Sequence, residues 1–210
     1  MRLARPFFLA VLLAEGCAHH PVDHRFDDPQ TWAKRWDDPS RDADQKPDEV
    51  LAALALAPGA SVADVGAGTG YFSVRLARTV PQGKVFAVDL EPAMVAHLRE
   101  RAVKENLANL VAVQAAADDP KLPEPVYLVL IVNTYHHLED RVAYFQRLKS
   151  SLTADGKVAV VDFRRGAPHG PPDAHKVPPE EVIAELSAAG FLLEADHEFL
   201  PHQYFLVFSQ

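Results

Sequence analysis

The stretch "VADVGAGTGYFS", Val62 to Ser73, sets an apolar run against three glycines two residues apart. A buried strand that ends in such a turn leaves the main chain bare at Gly66, Gly68 and Gly70. Glycine there permits positive φ and puts no Cβ between the backbone and a ligand lying on it. The spacing is G-x-G-x-G. A dinucleotide fingerprint needs its third glycine one place later, where this chain has Tyr71, and no Gly-Lys-Ser/Thr phosphate loop is present. The loop is therefore not built for a pyrophosphate. Tight strand-to-helix turns use the same residues, so the triplet alone is a weak signal.

Working outward, strands and helices alternate. Strands are expected at 61–65, 84–90, 109–116, 126–134 and 157–163, and two more in the tail, joined near Pro201 and His202. The fourth, "VYLVLIVNT", is apolar enough for burial on both faces. Between them lie helices from about Gly70 to Thr79, over "PAMVAHLRERAVKEN", over "LEDRVAYFQRLKSSL" and over "PEEVIAELSAAG". Upstream, "KPDEVLAALAL" reads as a helix, and Trp32 and Trp36 share one face of a short helix that Thr31 could cap. Repeated strand–helix units imply a doubly wound α/β sheet, mostly parallel and seven-stranded. The closing pair, with no helix between its members, implies a reversed C-terminal strand at the sheet edge. Ligands of such folds sit at the carboxyl ends of the strands, where strand order switches.

Composition sets limits. The chain has 210 residues, 48% of them hydrophobic, and a formal charge of −8, enough for one domain with one sizeable core. Without the first 20 residues, 19 basic side chains stand against 28 acidic ones, a net of −9. A nucleic-acid-binding face needs clustered Lys and Arg, and none is seen. "FDDP" at 26–29 and "WDDP" at 36–39 echo each other as local turn chemistry. The single cysteine, Cys17, excludes an intramolecular disulfide framework and a cysteine zinc cluster. No metal site is expected; His19, His20 and His24 lie in a polar stretch read as a tether. The remaining organisation is a leader over 1–17, a linker with a short helix over 18–44, and the domain proper over 45–210.

Asp89 closes the second strand in "AVDLEP", 19 residues after Gly70. Its carboxylate could accept hydrogen bonds from both hydroxyls of a ribose, or could cap the following helix. With "AAADDPKLP" and "LVLIVNTYHHLED" in order behind them, these motifs resemble the class I S-adenosylmethionine-dependent methyltransferases. The similarity is to the broad small-molecule group that includes the ubiquinone- and menaquinone-biosynthesis enzymes, and covers roughly residues 45 to 210. The resemblance implies a Rossmann-like fold, S-adenosylmethionine as cofactor and a small-molecule methyl acceptor. It places the methionine end and ribose edge on Asp64 and the loop Gly66, Ala67, Gly68 and Gly70. Asp64 would meet the ligand's ammonium, Asp89 the ribose diol and Leu90 the adenine. Asp118 or Asp119 would lie near the adenine amino group, Asn133 beside the methyl group, and Gln45 and Lys46 in a covering segment.

Methyl transfer is an in-line displacement, for which a protein supplies chiefly alignment and exclusion of water. A base is needed only where the acceptor must lose a proton. His136 and His137 follow the fourth strand, and histidine suits that task, with His136 preferred. A structural "HH" pair anchoring the next helix is the other reading. Tyr135, Asp162, Arg164 and the loop 166–179 are expected to shape the acceptor pocket, and Arg164 and Arg165 could favour an anionic acceptor.

The leader "MRLARPFFLAVLLAEGC" has Arg2 and Arg5, an apolar run too short to span a bilayer, and a small residue before Cys17. It resembles a bacterial lipoprotein signal, though Glu15 is unusual at that place. The resemblance implies membrane attachment through lipidated Cys17 at the cell envelope, with a cytoplasmic protein as the alternative. A lipid-anchored binding protein that keeps the fold without catalysis competes with the enzyme. Oligomeric state leaves no mark on the sequence.

Overall fold

The structure, a computed structural model, describes Phe26 and residues 28–210. Cys17 and the three tether histidines lie outside the described residues. Three helices come first: α1 (Pro29–Trp36), α2 (Asp42–Gln45) and α3 (Pro47–Leu54). The alternation follows as β1 (Ser61–Val65), α4 (Tyr71–Thr79), β2 (Lys84–Asp89), α5 (Pro92–Lys104), β3 (Leu110–Gln114) and β4 (Val126–Val132). It closes with α6 (Arg141–Leu148), β5 (Leu152–Phe163), α7 (Pro179–Ala188), β6 (Leu192–His197) and β7 (Gln203–Ser209).

All seven strands form one sheet in the order β3-β2-β1-β4-β5-β7-β6. The last strand, β7, runs antiparallel between β5 and β6, and with β6 it makes up that end of the sheet. The chain begins in the middle at β1, winds out to β3, and returns to lay β4 on the other side of β1. The order reverses between β1 and β4, so a ligand site belongs over their carboxyl ends.

The sheet separates two cores. Val62, Leu128, Leu130 and Val132 face α3, α4 and α5, while Ala63, Val65, Val129 and Ile131 face α6 and α7. β4 thus buries alternate side chains into both, as its unbroken apolar run requires. Phe145 of α6 is fully buried in the second core, where truncation to Ala would cost about 3–5 kcal/mol.

Two local expectations change. Asp28, not Thr31, caps α1: its Oδ1 accepts from the backbone N–H groups of Gln30 and Thr31 at 3.1 and 3.3 Å. Pro29 fixes the first helical residue, so the cap must precede it, and the Thr31 hydroxyl donates to Asp28 instead. Asp38 accepts likewise from Ser40 N at the start of the short turn Pro39–Arg41. Each "DDP" is therefore a helix start, which explains the echo. Secondly, β5 begins at Leu152 rather than 157, because Leu152 pairs with Val126 across an irregularity in the β4 register.

Candidate active site

β1 runs into the glycine loop, where the backbone N–H groups of Gly66 and Ala67 donate to the Val88 carbonyl at 2.9 and 3.0 Å. Gly66 has φ +76°, and a Cβ there would lie 2.2 Å from the Thr134 hydroxyl. The end of β4 crosses so near that only glycine fits. Gly70, also at positive φ, caps α4.

Two carboxylates flank this loop. Asp89 is 9% exposed; its Oδ2 accepts from Gly68 N at 2.7 Å and its Oδ1 from Glu91 N at 2.9 Å. These bonds aim the carboxylate along the loop, and each oxygen keeps acceptor capacity for a diol. The bond to Glu91 turns the chain towards α5 but satisfies no N–H within the helix, so the two readings of Asp89 are compatible. Burial raises its pKa, against the opposing pull of those N–H donors. Asp64, inside β1, is 3% exposed and accepts from the Ser73 hydroxyl at 2.5 Å. Burial pushes it up to about 6, with the Ser73 bond opposing. A cationic group beside a carboxylate in this condition would favour its charged form.

Leu90, next to Asp89, is 52% exposed where the resemblance places a purine. Asn133 ends β4 in a left-handed conformation, φ +54°. Its side-chain Oδ1 accepts from the Gln203 side-chain amide, and its own Nδ2 approaches Gln45 Oε1 at 3.5 Å. Gln45 closes the ring by donating to Gln203 Oε1 at 2.5 Å. Three amides from α2, β4 and β7 thus satisfy one another. Lys46 adds a bond from Nζ to the Phe199 carbonyl at 3.0 Å. Asp118 stands apart, 73% exposed at the tip of a turn closed by Ala116 and Asp119, with Arg147 nearby at 3.9 Å. Asp119 accepts from Lys121 N within the same turn.

On the β4–β5 side, the His136 Nδ1 lies 2.9 and 3.0 Å from the two oxygens of Asp162. Asp162 also accepts from the His136 and Phe163 backbone N–H groups. Both side chains are almost wholly buried, at 6% and 3% exposure. His137 packs against the His136 ring at 4.1 Å between centroids. Tyr135 does not line this region as expected: it points into the second core, stacked on Phe145, and its hydroxyl donates to Glu185 at 2.5 Å. Arg164 Nε donates to the Gln203 carbonyl, which ties it to β7. The loop 166–179 is braced by Lys176, whose buried Nζ donates to the Ala167 carbonyl and to Asp173.

The sequence reading missed what lies above the loop. Trp36, at the end of α1, sits on Gly68, with ring carbons 3.1 and 3.2 Å from where a Cβ would be. Beside it, Asp37 accepts from the Thr69 hydroxyl at 3.0 Å and from Arg101 at 2.9 Å, and Arg101 also donates to the Thr69 carbonyl. Asp42 takes bonds from the Tyr71 hydroxyl and from Arg75. The described part of the stretch read as linker and short helix is therefore a lid bolted to the glycine loop. The available signal was its pair of tryptophans, which no core helix needed.

Among known proteins, the family model described as a methyltransferase domain matches residues 62–156, from within β1 to within β5. A solved S-adenosylmethionine-dependent methyltransferase from Aquifex aeolicus superposes with a TM-score of 0.80 at 28% identity, covering 87% of this chain and 98% of that one. Residues 62–156 thus match a methyltransferase domain, and the chain has the fold of an S-adenosylmethionine-dependent methyltransferase, an enzyme whose cofactor is S-adenosylmethionine. Release factor glutamine methyltransferase of Cereibacter sphaeroides is 30% identical over 186 residues, 84% of this chain and 65% of that protein. Malonyl-(acyl-carrier protein) O-methyltransferase 1 of Ilyobacter polytropus is 30% identical over 106 residues, 49% of this chain. The chain thus spans 65% and 38% of the lengths of these two relatives. Among its described residues no helix is long and apolar enough to cross a membrane.

Proposed function

We propose that this methyltransferase moves the methyl group of S-adenosylmethionine to a small-molecule acceptor whose nucleophilic atom carries a proton when free. The observation that supports it is the buried His136–Asp162 pair, at the carboxyl ends of neighbouring strands, three residues beyond Asn133. S-adenosylmethionine supplies a methyl carbon on a sulfonium, open to in-line displacement. Asp64, the glycine loop and Asp89 hold it, Leu90 seats its base, and the lid excludes water. With Nδ1–H donating to Asp162, the lone pair of His136 Nε2 is left to accept the acceptor's proton as the new bond to the methyl carbon forms. Asp162 fixes the ring and stabilises the imidazolium that results. The relatives are named for a glutamine and for a carrier-linked malonyl group, so the acceptor is not taken from them.

The test is calorimetric titration with S-adenosylmethionine, followed by an acceptor screen that reads the demethylated product. Binding in the micromolar range that Asp89→Ala abolishes is expected, with His136→Ala binding normally but turning over poorly. Full turnover by His136→Ala with the true acceptor would remove the base. Failure to bind the cofactor would favour the non-catalytic alternative.

On the layout of the leader alone, we also propose that Cys17 is lipidated and anchors the domain at the cell envelope. S-adenosylmethionine is made in the cytoplasm, so this placement and the enzymatic reading pull against each other. Labelling cells with a palmitate analogue and fractionating them separates the two: unlabelled, soluble protein rules out the anchor.

A further inference from the structure

We propose that Trp36 reads the charge on the cofactor's sulfur, favouring the sulfonium of S-adenosylmethionine over the neutral thioether of the demethylated product. The inference rests on the cofactor assignment above and concerns what the lid adds to it. Phe26, Trp32 and Trp36 form one cluster, with ring centroids 5.0, 5.3 and 4.8 Å apart. None of the three belongs to either core. Large aromatic side chains ordinarily contribute most when buried in one. Here Trp36 lies on the loop that would carry the junction of methionine and ribose, Trp32 and Phe26 pack against it, and Phe26 reaches on to His137 at 6.1 Å.

The position of Trp36 is over-determined. Its ring lies on Gly68, its carbonyl accepts from Arg41 at 2.8 Å, and the next residue, Asp37, is held by Thr69 and Arg101. The cations that lie over rings among the described residues are committed elsewhere. Arg41 and Arg75 lie over the Tyr71 ring at 4.2 and 4.0 Å, Arg141 over Tyr135 and Lys149 over Phe191. Among the described residues, no cation lies over Trp32 or Trp36. Indole is the strongest side-chain partner for a cation, and the attraction grows where water is excluded. Stacking and shape serve both forms of the ligand, whereas attraction to charge serves only one. The lid should therefore hold the reactive form and release its grip once the sulfur is neutral.

Calorimetric titration of the full chain with S-adenosylmethionine and, separately, with S-adenosylhomocysteine tests this. Trp36→Leu should weaken the first more than the second, by about 2- to 30-fold, the range of a cation–ring contact. Trp36→Phe, which keeps a ring, should preserve most of the wild-type ratio. Equal weakening of both ligands by Trp36→Leu, or no change, overturns the proposal while leaving the cofactor assignment intact. Binding of neither ligand by the wild type overturns both. Should Trp36→Leu fail to fold, Asp37→Ala, which frees the lid but keeps the ring, must lower the same ratio.

Discussion

Replacing Asp64 by Asn should make the free protein more stable and a poorer binder of its cofactor. Asp64 is buried in β1, with the Ser73 hydroxyl as its hydrogen-bond donor, and its pKa is raised from 3.8 to about 6. A raised carboxylate contributes stability that is fully present below its unfolded value and is lost as pH rises through its folded value. Above about 6 the deficit is constant. A shift of roughly two units corresponds to about 3 kcal/mol at pH 7.5, and the linkage relation leaves about 1 kcal/mol at pH 4.5. Asn does not titrate and can still accept from Ser73, so Asp64→Asn should recover up to these amounts. At neutral pH the midpoint should rise by about 6–12 °C for a chain of this size. The loss of a charged partner for the ligand's ammonium should meanwhile weaken S-adenosylmethionine by about tenfold or more. Urea unfolding at the two pH values, with calorimetry at neutral pH, measures both. A gain that is absent, or the same at both pH values, would refute the burial argument. Tighter cofactor binding would refute the ammonium contact.

Gly66→Ala forces a Cβ to within 2.2 Å of Thr134 at a positive φ, so urea unfolding should show a loss of about 2–4 kcal/mol along with lost cofactor binding. Asp162→Asn should lower turnover by about 10²- to 10⁴-fold with the cofactor Kd unchanged, because the ring loses its orienting carboxylate; an equal loss in Kd would point to a structural role instead. Tyr135→Phe should cost about 1 kcal/mol through the missing bond to Glu185 and leave KM for the acceptor untouched, since the ring lies in the core.

What could be read from the sequence was local. The apolar runs of β1 and β4, the glycine spacing and the Asp that closes β2 each declare themselves within a dozen residues, and the reversed tail strand follows from a missing helix. The partners of those residues did not declare themselves. Asp162 was expected only to shape the pocket, yet it holds His136 from 26 positions away, and the amide ring joins Gln45 to Gln203 across 158. No periodicity records such pairs; they exist because adjacent strands end at one level. The cap of α1 was misplaced because Thr31 suits the role chemically, while Pro29 had already fixed where the helix begins. The lid was read as a linker with a short helix, and no role over the loop was seen for it, because that helix buries no residue in a core. Its attachment comes instead from Asp37 and Asp42 meeting Thr69, Arg101, Tyr71 and Arg75, side chains that acquire their meaning only once the chain is folded.

The chain has two tryptophans, and both are in α1. Its long-wavelength ultraviolet emission is therefore a property of 8 residues of lid, with the sheet contributing no indole at all. The two indoles lie 4.8 Å apart at 27°, near enough to couple their transitions and to give a paired near-ultraviolet dichroic signal. Any displacement of α1 from the glycine loop would therefore change an optical signal readable in the unlabelled wild-type protein.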